Sequence, residues 1–205
     1  MTPESRSARD AILAAVRAAR PPAVARPEPL WPARHREPGW SRLDAFTAAA
    51  TAAGATVTPA TRNDVVRLVA GATDGATSIL SFAAGVSSTT SSHGDAHILN
   101  ELDVLVCESS LGVAENGAVW IATSDTVLRG ALFLAARVVI IVHETEIVDD
   151  LHQAYERIDV RSHSFGAFIS GPSKTADIEQ SLVIGAHGPK ALMLVVVRAN
   201  DAANP

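Results

Sequence analysis

The chain has 205 residues, a formal charge of −5 from 17 basic and 22 acidic side chains, and 47% apolar residues of which few are aromatic. That length suffices for one well-buried domain, and the Ala- and Val-rich composition suits a core of small aliphatic side chains between helices and a sheet. The acidic balance, with no basic stripe outside the N-terminal stretch, excludes generic nucleic-acid binding; no window approaches membrane-spanning length and no signal-peptide pattern opens the chain, so a cytoplasmic protein without membrane insertion is expected.

Residues Pro3 to Arg20 read as a helix, with Ile12, Leu13 and Val16 at helical spacing. Pro21-Pro22 ends it, because proline lacks the amide donor and disfavours helical geometry before it. Six prolines (21, 22, 27, 29, 32 and 38) then mark an extended arm. Trp31 and Trp40 anchor that arm either to a neighbouring subunit in a homo-oligomer or back onto its own domain. Residues 1–39 therefore read as a helix and arm, and 40–205 as one α/β domain.

Within that domain helices and strands alternate. Leu43 to Ala53 predicts a helix stopped by Gly54, followed by a short strand Ala55-Thr56-Val57. A helix is expected over Asn63 to Ala70 and a strand over Thr77 to Phe82, then a Gly/Ser/Thr-rich loop. Strands are expected at Asp103 to Cys107 and Ala118 to Ala122, and a helix over Val127 to Ala136. Val138 to Val142 is a β-branched run without polar alternation, the pattern of a buried strand. Glu146 to Ile158 predicts one amphipathic helix, Ala167 to Ile169 a strand, Thr175 to Val183 a helix, and Ala191 to Val197 a last apolar strand. This order implies a largely parallel sheet with helices on both faces.

Two segments place polar, turn-forming residues beside apolar strands, and strand ends are where open α/β sheets bind ligands. In the first, Glu115 precedes Asn116-Gly117, a pair that tolerates positive φ. A glutamate held there can act as nucleophile or base, but turn chemistry alone favours a simple hairpin turn with a solvated Glu115. In the second, Gly171-Pro172-Ser173 ends a strand; Ser173 reads as the cap of the expected helix, whose opening amides, with Lys174, suit an anion. Thr175 offers a hydroxyl, and Asp177 either orients Lys174 or favours the helix start. His187 lies in a Gly-Ala-His-Gly-Pro turn leading to the last strand. His143-Glu144 is a further polar pair at a strand end, and Glu108 a second carboxylate near Glu115. His93 and His97 have i, i+4 spacing, but without a third clear ligand no metal site is assigned. Cys107, the single cysteine, forms no internal disulfide and cannot alone hold an iron–sulfur cluster; it reads as a buried small thiol.

The runs Gly112 to Val119, Gly171 to Glu179 and Gly185 to Pro189 resemble the LUD-domain family, which includes lactate-utilisation protein C; order and spacing match from about Leu102 to Val197. The resemblance implies an α/β fold of the NagB/RpiA/CoA-transferase-like group. It also implies a part in bacterial oxidation of L-lactate to pyruvate, alongside partners that carry the iron–sulfur chemistry. It points to a site for a small anionic ligand but to no reaction and no named cofactor. Ala114-Glu115-Asn116-Gly117 is also similar to the Ser-Glu-Asn-Gly segment of class I CoA-transferases, whose glutamate is the nucleophile, with Ala114 in place of the serine. That likeness makes a CoA-transferase-like or sugar-phosphate-type enzyme using Glu115 the competing reading. One departure is plain: the chain has Ala135-Ala136-Arg137-Val138 where the family pattern leads one to expect a Pro-Pro-x-His-like stretch.

Overall fold

In the computed structural model, residues 3–22, 24, 39–91, 96–178 and 181–199 are described. Two compact units divide the chain, 1–37 and 38–205. The first contains helix α1 (Pro3–Ala18); Trp31 and most of the proline-rich arm lie outside the described residues.

The second unit is built on a five-stranded, wholly parallel sheet in the order β1-β11-β6-β3-β2, formed by β1 (Thr56–Ala60), β2 (Ile79–Ser81), β3 (Val104–Ser109), β6 (Arg137–His143) and β11 (Ala191–Val197). The three central strands are apolar along their length because both faces are covered. Side chains alternate between those faces. Val104, Val106, Val139, Ile141, Val195 and Val197 pack with α3 (Val65–Ala72). Leu105, Cys107, Ile140, Val142, Leu194 and Val196 turn the other way, toward α2 (Arg42–Ala52) and α4 (Thr126–Leu134).

That second face is also covered by a smaller sheet. Its order is β7-β4-β5-β8, from β4 (Leu111–Val113), β5 (Ala118–Thr123), β7 (Ile147–Val148) and β8 (Phe165–Ile169). Val119 and Ile121 of β5 join the core between the sheets, with Phe46 and Ala50 of α2. The outer face, Leu111, Val113 and Trp120, packs with Ala154 of α5 (Leu151–Arg157). Helices flank the parallel sheet as expected, and the antiparallel pairs of the smaller sheet add a further layer.

Two sequence-based assignments are corrected. Thr175 to Val183 is not a helix: Lys174–Ile178 (β9) and Ser181–Ile184 (β10) form an antiparallel hairpin, with Thr175 opposite Val183. A cap-like serine and two acids imitated a helix start, whereas the β-branched Thr175, Ile178, Val183 and Ile184 carry the strand preference. Glu146 to Ile158 is not one helix either. Ile147 and Val148 pair with Gly112 and Val113, and α5 begins only after Asp150, whose side chain accepts from the Gln153 N–H. Elsewhere boundaries shift by a residue or a few, and β11 matches its expected span.

Candidate functional site

Both polar segments meet the same structural feature, the C-terminal end of α2. Gly117 has φ +65° and lies so close to the Ala49–Ala50 backbone that any Cβ would collide with it. Gly171 has φ +72° and meets the Ala53 carbonyl in the same way. Each glycine is required twice over, by its left-handed backbone and by the helix passing over it. The Ser170 hydroxyl donates to the Asn116 carbonyl at 3.0 Å, joining the two segments directly.

The first segment forms a hairpin turn between β4 and β5, as its turn chemistry predicts: Gly117 N–H bonds the Val113 carbonyl at 2.9 Å, and the Asn116 side chain accepts from Ala118 N–H at 3.0 Å. Glu115 is exposed, and its Oε2 accepts from Leu151 N–H at 3.2 Å, at the start of α5. Its own N–H bonds the Asp149 carbonyl. Asp149 was not singled out from sequence, yet it is buried, paired with Arg42 Nε at 2.7 Å and hydrogen-bonded by Gln153 Nε2 at 3.0 Å. The signal was faint: an Asp149-Asp150 doublet in which one acid caps α5 and the other turns inward. These bonds make the first segment a clamp between α2, β7 and α5.

The second segment opens onto a cavity of about 300 Å³. Gly171, Ser173, Lys174 and His187 line it together with Gly188 and the apolar Leu132, Phe133, Val138, Phe168 and Leu192. Ser173 ties the two loops that form the mouth, since its N–H bonds the Pro189 carbonyl at 2.9 Å and its carbonyl accepts from Gly185 N–H at 2.8 Å. Because no helix starts at Ser173, the expected anion site at helix amides does not exist. Lys174 is exposed, and its Nζ donates to the Ala53 carbonyl. Helix α2 has no basic residue of its own in its last turn, so Lys174 supplies the cation that this negative end favours. An ammonium has three donors, and this bond uses one.

The structure therefore gathers Gly171, Ser173, Lys174 and His187 around one cavity and leaves Glu115, Asn116 and Gly117 out of its lining. Thr175 lies in β9 opposite Val183, and Asp177 lies farther along the same strand. Val138 and Leu192 are second residues of β6 and β11, so the cavity sits at the amino edge of the parallel sheet, not at the carboxyl edge to which the general rule points. His143 and Glu144 are at the opposite edge, where Glu144 Oε2 accepts from Ala199 N–H. Glu108 is also at that edge and accepts from Ala84 N–H. The apolar walls Leu132, Phe133 and Phe168 escaped the sequence reading, in which Leu132 and Phe133 are only part of an expected apolar helix.

Among the described residues no three His, Cys, Asp or Glu side chains converge on a point. His97 is exposed in a 3₁₀ turn, while His93 lies outside the described residues, as does the spacing argument that joined them. Burial raises the Cys107 thiol pKa to about 12, with a smaller push from the neighbouring Glu108 charge, so Cys107 is a core residue and not a nucleophile. Among the described residues no helix is long and apolar enough to cross a membrane.

Comparison with known proteins agrees with this architecture. Lactate utilization protein C of Shouchella clausii is 36% identical over 100 residues, covering 46% of this chain and 44% of that protein. The Bacillus subtilis protein of the same name is 32% identical over 103 residues, covering 47% and 43%. The matched part thus spans less than half the length of these curated relatives. The crystal structure of a DUF162 family protein from Deinococcus radiodurans superposes with a TM-score of 0.61 over 77% of this chain and 99% of that one, at 19% identity, a likeness of fold. Residues 82–197, which include both polar segments, β3 to β11 and the whole cavity lining, match the model of the LUD domain, and the chain belongs to the LUD-domain family.

Proposed function

We propose that this chain is a cytoplasmic component of lactate utilisation, acting in the oxidation of L-lactate to pyruvate and binding a small anionic ligand at Ser173, Lys174 and His187. The observation that carries the ligand site is the meeting of two loops, Gly171 to Lys174 and Gly185 to Pro189, around one cavity inside the family-matched segment. Such a concave, mostly apolar pocket with a few polar groups is the usual form of a small-molecule site. The metabolic role is carried over from relatives named lactate utilization protein C. The family resemblance implies separate partners that carry the iron–sulfur chemistry, and a chain with a single buried cysteine is consistent with that division.

The reading that makes Glu115 a nucleophile has less behind it. Its carboxylate is engaged with the α5 backbone and lies outside the cavity lining. Deletion of the gene in its own host tests the proposed role. Growth on L-lactate as sole carbon source should be lost and return with the wild-type gene, and the tagged chain should co-purify with iron–sulfur proteins. Unimpaired growth on L-lactate would contradict the role.

A further inference from the structure

We propose that the cavity takes an amphipathic monocarboxylate, a hydroxy or keto acid with a hydrocarbon body of about five to eight carbons, in preference to L-lactate itself. This rests on the cavity being the ligand site proposed above and adds the class of ligand. The first argument is size. An apolar cavity of about 150 Å³ accommodates a six-carbon ring. L-Lactate also has six non-hydrogen atoms, so it would fill roughly half of the 300 Å³ available here. The second is the distribution of chemistry. Leu132, Phe133, Val138, Phe168 and Leu192 provide hydrocarbon wall, whereas the polar side chains, Ser173, Lys174 and His187, come from the two loops tied together at Ser173. A lactate held at those loops would leave the hydrocarbon wall wetted. A longer tail covers it and gains the transfer free energy of each methylene. The third is charge: Lys174 is the one formally cationic side chain among the lining residues, and it is held in place by the Ala53 carbonyl.

Isothermal titration of the full chain with L-lactate, 2-hydroxyhexanoate and 3-phenyllactate, and with 1-hexanol as the uncharged control, tests this. Affinity should rise about fourfold per added methylene. Phe133→Ala, at a side chain 50% exposed, should weaken the long acids several-fold more than L-lactate, with circular dichroism confirming the fold. Lys174→Met should weaken every acid and spare the alcohol. Trp120 packs at a tilt against cavity-lining Phe168, ring centroids 4.8 Å apart, so its emission should shift with occupancy. Affinity that is flat with chain length, or highest for L-lactate, would overturn the proposal, as would hexanol binding as tightly as the acids. Failure of every acid to bind would overturn both this proposal and the ligand site. None of these results touches the growth requirement on L-lactate, whose own failure would in turn leave tight binding of the long acids standing.

Discussion

The two polar segments dock on the same end of the same helix, and yet one is closed and the other open. At Glu115 to Gly117 hydrogen bonds form a turn and reach the start of α5, and Gly117 packs tightly under the end of α2. At Gly171 to Lys174 the same helix end is met by a glycine and a lysine, but beyond them lies space bounded by hydrocarbon and the His187 loop. Both segments are built from glycine, turn formers and a charged side chain. Such chemistry is what a chain needs to pass tightly under a helix as much as what it needs to meet a ligand. The neighbours decide between the two, and we propose that Glu115, which accepts from Leu151 N–H outside the cavity lining, serves structure.

Substitutions distinguish the two segments. Gly117→Val should cost about 4 kcal/mol or more, because it combines positive φ with a backbone collision, the kind of mechanism that lies behind the largest single-site losses. Urea unfolding reads it directly; a loss under 1 kcal/mol would mean that α2 does not pass over the turn. Arg42→Ala removes the guanidinium beside buried Asp149 while Gln153 remains, and should cost about 1–3 kcal/mol in the same assay. The pair is the tie from α2 to the far side of the first segment, so its loss should also loosen the hydrogen-exchange protection of Leu151 and Gln153.

Alkali probes the core behind both segments. Folding holds the Cys107 thiol neutral, with a pKa raised from 9.0 to about 12, so its contribution is complete below about pH 9 and is lost as pH rises toward 12. Stability at pH 10 should therefore fall by about 1 kcal/mol relative to pH 8, and Cys107→Ala should remove that part of the decline. Native protein should also resist iodoacetamide. The smallest effect is expected at Glu115→Gln, which keeps an oxygen to accept from Leu151 N–H and should change stability by less than about 1 kcal/mol.

Much of the fold was legible because the central strands leave no alternative. Val138 to Val142 and Ala191 to Val197 are too apolar and too β-branched to be anything but buried strands, and both are. Short elements were less legible. Ile147-Val148 is a two-residue strand that exists only because β4 lies beside it, and β9–β10 resembles a capped helix until its cross-strand partners are known. The candidate site was half legible. Gly171, Ser173, Lys174 and His187 stood out as residue types, but their convergence depends on a turn and a hairpin whose closure no local pattern encodes. The hydrocarbon wall was silent, since Leu132 and Leu192 read as core in any sequence. Glu115 drew attention through a likeness to another family, and the structure places it at the start of α5, outside the cavity lining.

We propose that function resides at the cavity and not at Glu115. Complementation of the deletion strain on L-lactate with Glu115→Gln and with the double variant Lys174→Met/His187→Ala, each verified as folded and equally abundant, tests it most directly. Growth should be normal with Glu115→Gln and absent with the double variant. Growth with the double variant and failure with Glu115→Gln would contradict it and return Glu115 to the centre of the chemistry.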